Sequence, residues 1–225
     1  MNALVNAHTL REKDVSPCAG FASGGLPEAS CSHTGVSSDY APRPGHQWYV
    51  LRVTYNRTER AHSRVVSAGV TWYLPMHYVV KKEIGKKKRI QEPLLPNLFF
   101  VYATRAAADA IVRKRAGEPH VVKYYRDRTK PLGADGKHPP MTISYMAMDN
   151  FIRVTCTDSD HVRVVAARQC HFKSGDRVRV VAGEFEGNTG RVARIAGQQR
   201  VVVEVSGLCL VATAYIPSGF IERII

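Results

Sequence analysis

Residues 172–216 constrain the fold more than any other part of the chain. "FKSGDRVRVVAGEFEGNTGRVARI", "RVVVEV" and "LCLVATAYI" contain four short β-rich runs, with "AGEFEGNTG", "AGQQ" and "SG" between them. The abundance of valine argues for strands. Short strands at close, regular spacing with glycine turns indicate a small closed barrel, since closure removes exposed edges. In the first hairpin Val178 and Val180 are expected to point inward, and Arg177 and Arg179 to face solvent. The loop assigns Gly183, Gly187 and Gly190 to backbone turns with positive φ. Phe185, between those glycines, is placed to plug the barrel mouth.

Upstream lies a different pattern. Residues 1–45 are dominated by Ser, Ala, Gly and Pro and sustain no periodic apolar face, so they read as a disordered tail. From His46, "HQWYVLRV" alternates, with Trp48, Val50 and Arg52 on one face and Tyr49, Leu51 and Val53 on the other. Asn56 and Glu59 form a capping pair for a helix over about 57–68, which Gly69 stops. "TWYLPMHYVV" reads as a second strand, "KKEIGKKKRI" as a charged turn centred on Gly85, and Leu98 to Tyr102 as a buried third strand. Thr104 caps a helix running to Gly117, and "VVKYY" supplies a fourth strand. From Thr142, the residues Ile143, Met146, Ala147, Phe151 and Val154 make an amphipathic helical stripe. This order suits an α+β sandwich of ferredoxin-like type. The organisation is a tail over 1–45, a domain over 46–156, a patternless linker over 157–171 and a β-barrel domain over 172–225.

Charge points to the partner. The net charge is +13, and residues 47–171 carry 22 Lys and Arg against 10 acids. A concentrated cationic surface suits a polyanion, most often nucleic acid. Arg57, Arg60 and Arg64 share one stripe of the first helix, Tyr55 is a candidate base-stacking platform, and Lys86, Lys87 and Lys88 of the charged hairpin extend the surface.

Catalytic apparatus is not apparent. The nine histidines lack ligand spacing, so neither a metal nor a cofactor is expected. The sequence has no phosphate-binding loop and no nucleophile elbow, and its 19 acids are dispersed, which argues against an enzyme. The five scattered cysteines read as free thiols. No apolar run approaches the ~20 residues of a bilayer span, and the opening segment lacks a secretory signal pattern, so the reading is a cytoplasmic protein away from membranes.

"GDRVRVVAGEFEGNTGRV" resembles the KOW motif, which closes the SH3-like barrels of NusG-family and some ribosomal proteins. It follows a domain that opens "WYVLRV" and contains "EPLLPNLFFV", which resembles the N-terminal domain of NusG-type transcription elongation factors. The "EP-L-PN" form is similar to specialised RfaH-like paralogues. "TYNRTER" and the C-terminal segment are most similar to the UpxY regulators of capsule operons in Bacteroidetes. The resemblance covers residues 46–225. It implies a monomeric antitermination factor that suppresses pausing, acting at operons such as capsular polysaccharide loci. The implied partners are the clamp helices of RNA polymerase, the non-template DNA strand or nascent RNA, and Rho or a ribosomal protein through the KOW domain. By alignment on the "PN" pair, Leu95, Leu98 and Phe100 stand at polymerase-facing positions, with Trp48 and Arg52 on the same face. Leu95 and Leu98 replace the family's usual aromatics. The alternative is a free-standing RNA-binding or ribosome-associated module, because a ferredoxin-like sheet with aromatics on its first and third strands also describes an RRM.

Overall fold

The computed structural model describes residues 41–54, 58–83, 85–114, 116–117, 120–156, 162–205 and 207–224. The tail over 1–40, with Cys18 and Cys31, lies outside them, as do Tyr55 and Arg57.

The first domain is a four-strand antiparallel core, β1 (His46–Val53), β2 (Thr71–Tyr73), β5 (Leu98–Thr104) and β6 (Val122–Tyr124), in the order β2-β5-β1-β6. A short β7 (Thr142–Ile143) adds to β1 at Trp48 and Tyr49. With α1 (Thr58–Ser67) between β1 and β2, and α2 (Arg105–Val112) between β5 and β6, this is the expected ferredoxin-like arrangement. Alternation sorts β1 as its sequence requires. Tyr49, Leu51 and Val53 pack with Ala61 and Val65 of α1 and Ala108 and Ile111 of α2. Trp48 and Val50 pack on the other side with Phe100, Met148 and Phe151.

Several boundaries differ from the sequence reading. "TWYLPMHYVV" is two strands, because Pro75 cannot donate to a ladder, so β3 (Met76–Glu83) pairs only with β4 (Lys86–Pro93). The second helix stops at Val112 rather than Gly117. Its last carbonyls are taken by tertiary partners: Arg64 donates to Arg113 O, and His120 Nε2 donates to Val112 O at 3.1 Å. The third helix, α3 (Tyr145–Thr155), begins after Thr142 and Ile143, which are claimed by pairing with β1. Its cap is Ser144, whose Oγ accepts from Ala147 N at 3.3 Å. The buried stripe is therefore Met148, Phe151, Ile152, Val154 and Thr155, while Met146 is exposed.

The C-terminal region is an antiparallel sheet of six strands. β9 (His171–Val180), β10 (Thr189–Ile195), β11 (Gln198–Val205) and β12 (Cys209–Tyr215) are the four expected runs. β13 (Ile221–Arg223) and β8 (Arg163–Val165) flank them, giving the order β13-β9-β10-β11-β12-β8. The segment expected as a linker thus contributes β8, which pairs with β12. Among the described residues β13 and β8 do not pair with each other, so the ladder is an open path rather than a hydrogen-bonded ring. Its main apolar face is completed instead by α3: Val178, Val180, Phe185, Val192, Val201 and Val203 share one core with Phe100, Met148 and Phe151. Burying a side chain such as Phe151 on this helix stabilises by about 1.5–3 kcal/mol.

Candidate functional site

The hairpin loop behaves largely as its sequence demands. Gly183 and Gly187 have φ of +87° and +83°, where an L side chain is strained. Val180 N donates to Asn188 O at 2.9 Å and Gly187 N donates to Val180 O at 2.8 Å, closing the loop. Phe185 is 4% exposed and faces the shared core. Val178 and Val180 are buried, and Arg177 and Arg179 are exposed. Gly190 is glycine for another reason. Its φ is not positive, but a Cβ there would stand 2.6 Å from Val202 O and 2.7 Å from Val201 Cγ1, so it permits close strand approach rather than a turn.

The apolar sheet face expected to stand open is closed. Trp48 is 1% exposed, Leu95 8% and Phe100 0%. Helix α3 roofs them: the Phe100 and Phe151 rings are 5.5 Å apart, and Tyr73 hydroxyl meets Thr155 Oγ1 at 2.6 Å. This also removes the stacking platform that an RRM-like reading requires, because the aromatics of the first and third strands face protein. The other two residues assigned to that face are accessible. Arg52 is exposed and Leu98 half-buried, and they stand directly opposite each other on β1 and β5. Lys123 on β6 stands opposite Arg52 on the other side. Leu98, Arg52 and Lys123 form an apolar and basic row across three strands. Lys123 gives no separate sequence signal, because its neighbours in "VVKYY" dominate the strand pattern.

The β3–β4 hairpin leaves the sheet at the same end, since β2 runs from Thr71 opposite Tyr102 to Tyr73 opposite Phe100, toward Leu98. Leu94 N donates to Pro75 O at 2.8 Å and closes the hairpin base. Lys86, Lys87 and Lys88 are all exposed on it.

The cationic stripe on α1 is shorter than expected. Arg60 is exposed, but Arg64 is only 8% exposed and caps the C-terminal end of α2 through Arg113 O. Its position beside Ala61 and Val65 on the sheet-facing side of α1 turns it inward. A cation at a helix C-terminus is also favoured by the helix dipole.

A second polar cluster joins α2 to the sheet. Arg105 Nε donates to both Asp109 oxygens at 3.0 Å, and Tyr124 hydroxyl donates to Asp109 Oδ1 at 2.7 Å. Burial alone would raise the Asp109 carboxyl, but these two donors hold it below its ordinary range. Burial, and then the bond to Asp109, push the Tyr124 phenol well up. This is a structural pair with no poised base or nucleophile. Among the described residues no three His, Cys, Asp or Glu side chains gather as a metal site.

Residues 46–152 match the family model described as "Transcription termination factor nusG". Over those 107 residues, just under half of the chain, the sequence is similar to the NusG family. The solved structure titled "Domain interaction in Thermotoga maritima NusG" is similar at 18% sequence identity over 80% of this chain and 98% of that chain, with a TM-score of 0.36. Among curated proteins none matches. The NusG match ends inside α3, the helix that closes the sheet face, and leaves the six-stranded sheet outside it.

Proposed function

We propose that this chain is a transcription elongation and antitermination factor that binds RNA polymerase and reduces pausing and premature termination. The NusG family match over residues 46–152 carries this reading. The polymerase contact is assigned to Arg52 and Leu98, with Lys123 added to them, because this row stays accessible at the end of the sheet. Trp48, Leu95 and Phe100 support the row from the core. Nucleic acid, either the non-template DNA strand or nascent RNA, is assigned to the basic hairpin with Lys86, Lys87 and Lys88, and to Arg60. Tyr55 and Arg57 complete that assignment from sequence alone. The hairpin and row adjoin, so one docking event engages enzyme and nucleic acid together. The C-terminal region, where Val181 beyond β9 and Phe220 before β13 are exposed, is assigned to a further partner, Rho or a ribosomal protein. Action at particular operons such as capsular polysaccharide loci, in the cytoplasm, follows from the specialised-paralogue resemblance.

The test is co-purification of host RNA polymerase with the full-length chain. The wild type is expected to retain polymerase, and Arg52→Glu with Leu98→Ser to lose it while remaining cooperatively folded. A wild-type chain that retains no polymerase, or a correctly folded double variant that retains it fully, overturns the assignment.

A further inference from the structure

The β3–β4 hairpin has features that a general basic surface does not need. It is a two-stranded sheet of its own, with eight residues in each strand paired one to one from Met76↔Pro93 to Glu83↔Lys86. At ~3.4 Å per residue it reaches about 27 Å. None of its described side chains is buried, and Val80, at 64% exposure, is among the most open apolar residues described. Nothing in its packing explains why the ribbon is kept at this length.

Strand register sorts its charges. Tyr78, Val80 and Lys82 share a face with Arg89 and Lys87; His77, Val79 and Lys81 share the other with Glu92, Ile90, Lys88 and Lys86. Each face therefore carries three cations: Lys82, Lys87 and Arg89 on one, Lys81, Lys86 and Lys88 on the other. Glu92 lies on the second face, where Lys81 pairs with it. Lys82 stands directly opposite Lys87, and Lys81 opposite Lys88. Like charges directly across a ladder are destabilising, and a phosphate row beside Lys82 and Lys87 relieves that repulsion.

We infer that this ribbon enters the major groove of B-form DNA, with one cationic face toward each phosphate wall. The inference rests on the proposed role of the hairpin in nucleic-acid contact and names its target as duplex rather than single-stranded. A single strand lies along one face and leaves the opposite three cations without phosphates. Single-strand binding also relies on open aromatic platforms. The ribbon's tyrosine, Tyr78, has the Arg89 guanidinium over its ring at 3.8 Å, so that face is occupied. In size, a ribbon with side chains on both faces is about 10 Å thick, taking the spacing of stacked sheets as a guide. The B-DNA major groove is about 12 Å wide and admits a two-stranded ribbon. The major groove of A-form RNA is too narrow for it.

The experiment uses the full-length chain and fluorescence anisotropy with a labelled DNA duplex, one strand of that duplex, and an RNA duplex of the same sequence, across a salt series. The DNA duplex is expected to bind tightest. Lys82→Ala with Lys87→Ala on one face, and Lys81→Ala with Lys88→Ala on the other, are each expected to lower the salt slope on the duplex by about two. Methyl green, which occupies the major groove, is expected to compete. Equal affinity for the single strand or the RNA duplex, loss confined to one face, or indifference to methyl green overturns the inference. Polymerase co-purification by the wild type reads the proposed function separately: polymerase retained with no duplex preference sinks only the groove inference, and duplex preference without polymerase sinks only the proposed function.

Discussion

Asn150 of α3 and Thr189 of β10 hold each other by two hydrogen bonds: Asn150 Nδ2 donates to Thr189 Oγ1 at 2.9 Å, and Thr189 N donates to Asn150 Oδ1 at 3.0 Å. The clasp fixes the six-stranded sheet to a helix whose other side packs on β1 and β5. Asn150→Leu keeps the bulk and leaves Thr189 N without this acceptor, so a loss of about 1 kcal/mol or more is expected. The urea midpoint should fall with the slope unchanged. An unaltered midpoint would show that the clasp contributes nothing to docking.

Phe100→Ala should act on stability rather than selectively on polymerase. The ring is fully buried, 5.5 Å from Phe151 and 6.5 Å from Tyr73, so truncation leaves a cavity and costs about 3–5 kcal/mol. Thermal melting should show a large drop for Phe100→Ala and none for Arg52→Glu. A Phe100→Ala chain that melts like wild type would mean the ring is not in the core.

These results separate what the residues declare from what tertiary structure adds. Alternation in "HQWYVLRV" sorts β1 into its two faces, and the glycine-spaced runs mark β9 to β12, because strand period and turn chemistry are local. The covering of Trp48 and Phe100 by α3 is not local: it depends on which stripe of a distant helix meets the sheet. The same limit applies to the start of α3. Thr142 and Ile143 fit its helical period, and only pairing with β1 removes them from it. At Arg64, spacing with Arg57 and Arg60 suggests a solvent stripe, while the carbonyl end of α2, distant in sequence, draws it inward.

Gly190→Ala should destabilise although its backbone needs no positive φ. The added methyl would meet Val202 O at 2.6 Å, a backbone atom fixed in β11, so the strands must separate or the residue must shift. Overpacking of this kind costs about 1–3 kcal/mol. Gly219→Ala, where nothing lies within 4 Å, is the control and should melt close to wild type. Equal midpoints for the two variants would contradict the close approach.

Cys156 and Cys209 should be slow to alkylate in the folded chain. Burial pushes both thiols up to about 12 from an ordinary 9.0; a long contact between Cys156 and the Tyr73 hydroxyl, at 3.9 Å, acts weakly the other way. The thiolate is the reactive form, so at pH 8 the folded thiols are about 1,000-fold less ionised than unfolded ones. Between pH 9 and 12 the folded state holds protons that the unfolded state releases, so their contribution to stability is flat below about pH 9 and falls above it. Peptide-resolved iodoacetamide labelling, native and in urea, checks this. Rapid native labelling at Cys156 would refute it.

Arg60 and Arg64, one turn apart on α1, should give opposite phenotypes. Arg60 is exposed and offers its charge to a polyanion, so Arg60→Ala should reduce the salt slope of nucleic-acid binding by about one and leave the melting midpoint unchanged. Arg64 donates to Arg113 O at the end of α2 and is almost fully covered. Hydrogen bonds to a charged donor contribute about 1.5–3 kcal/mol, so Arg64→Ala should lower the midpoint. In the variant, a water at that carbonyl would recover part of the loss, whereas Arg64→Lys would recover more by keeping a cation at the helix end. Its salt slope should match wild type once the chain is folded, because its charge is directed at the helix end rather than at phosphates. A reduced slope for a folded Arg64→Ala chain would instead return this residue to the nucleic-acid surface and restore the longer α1 stripe.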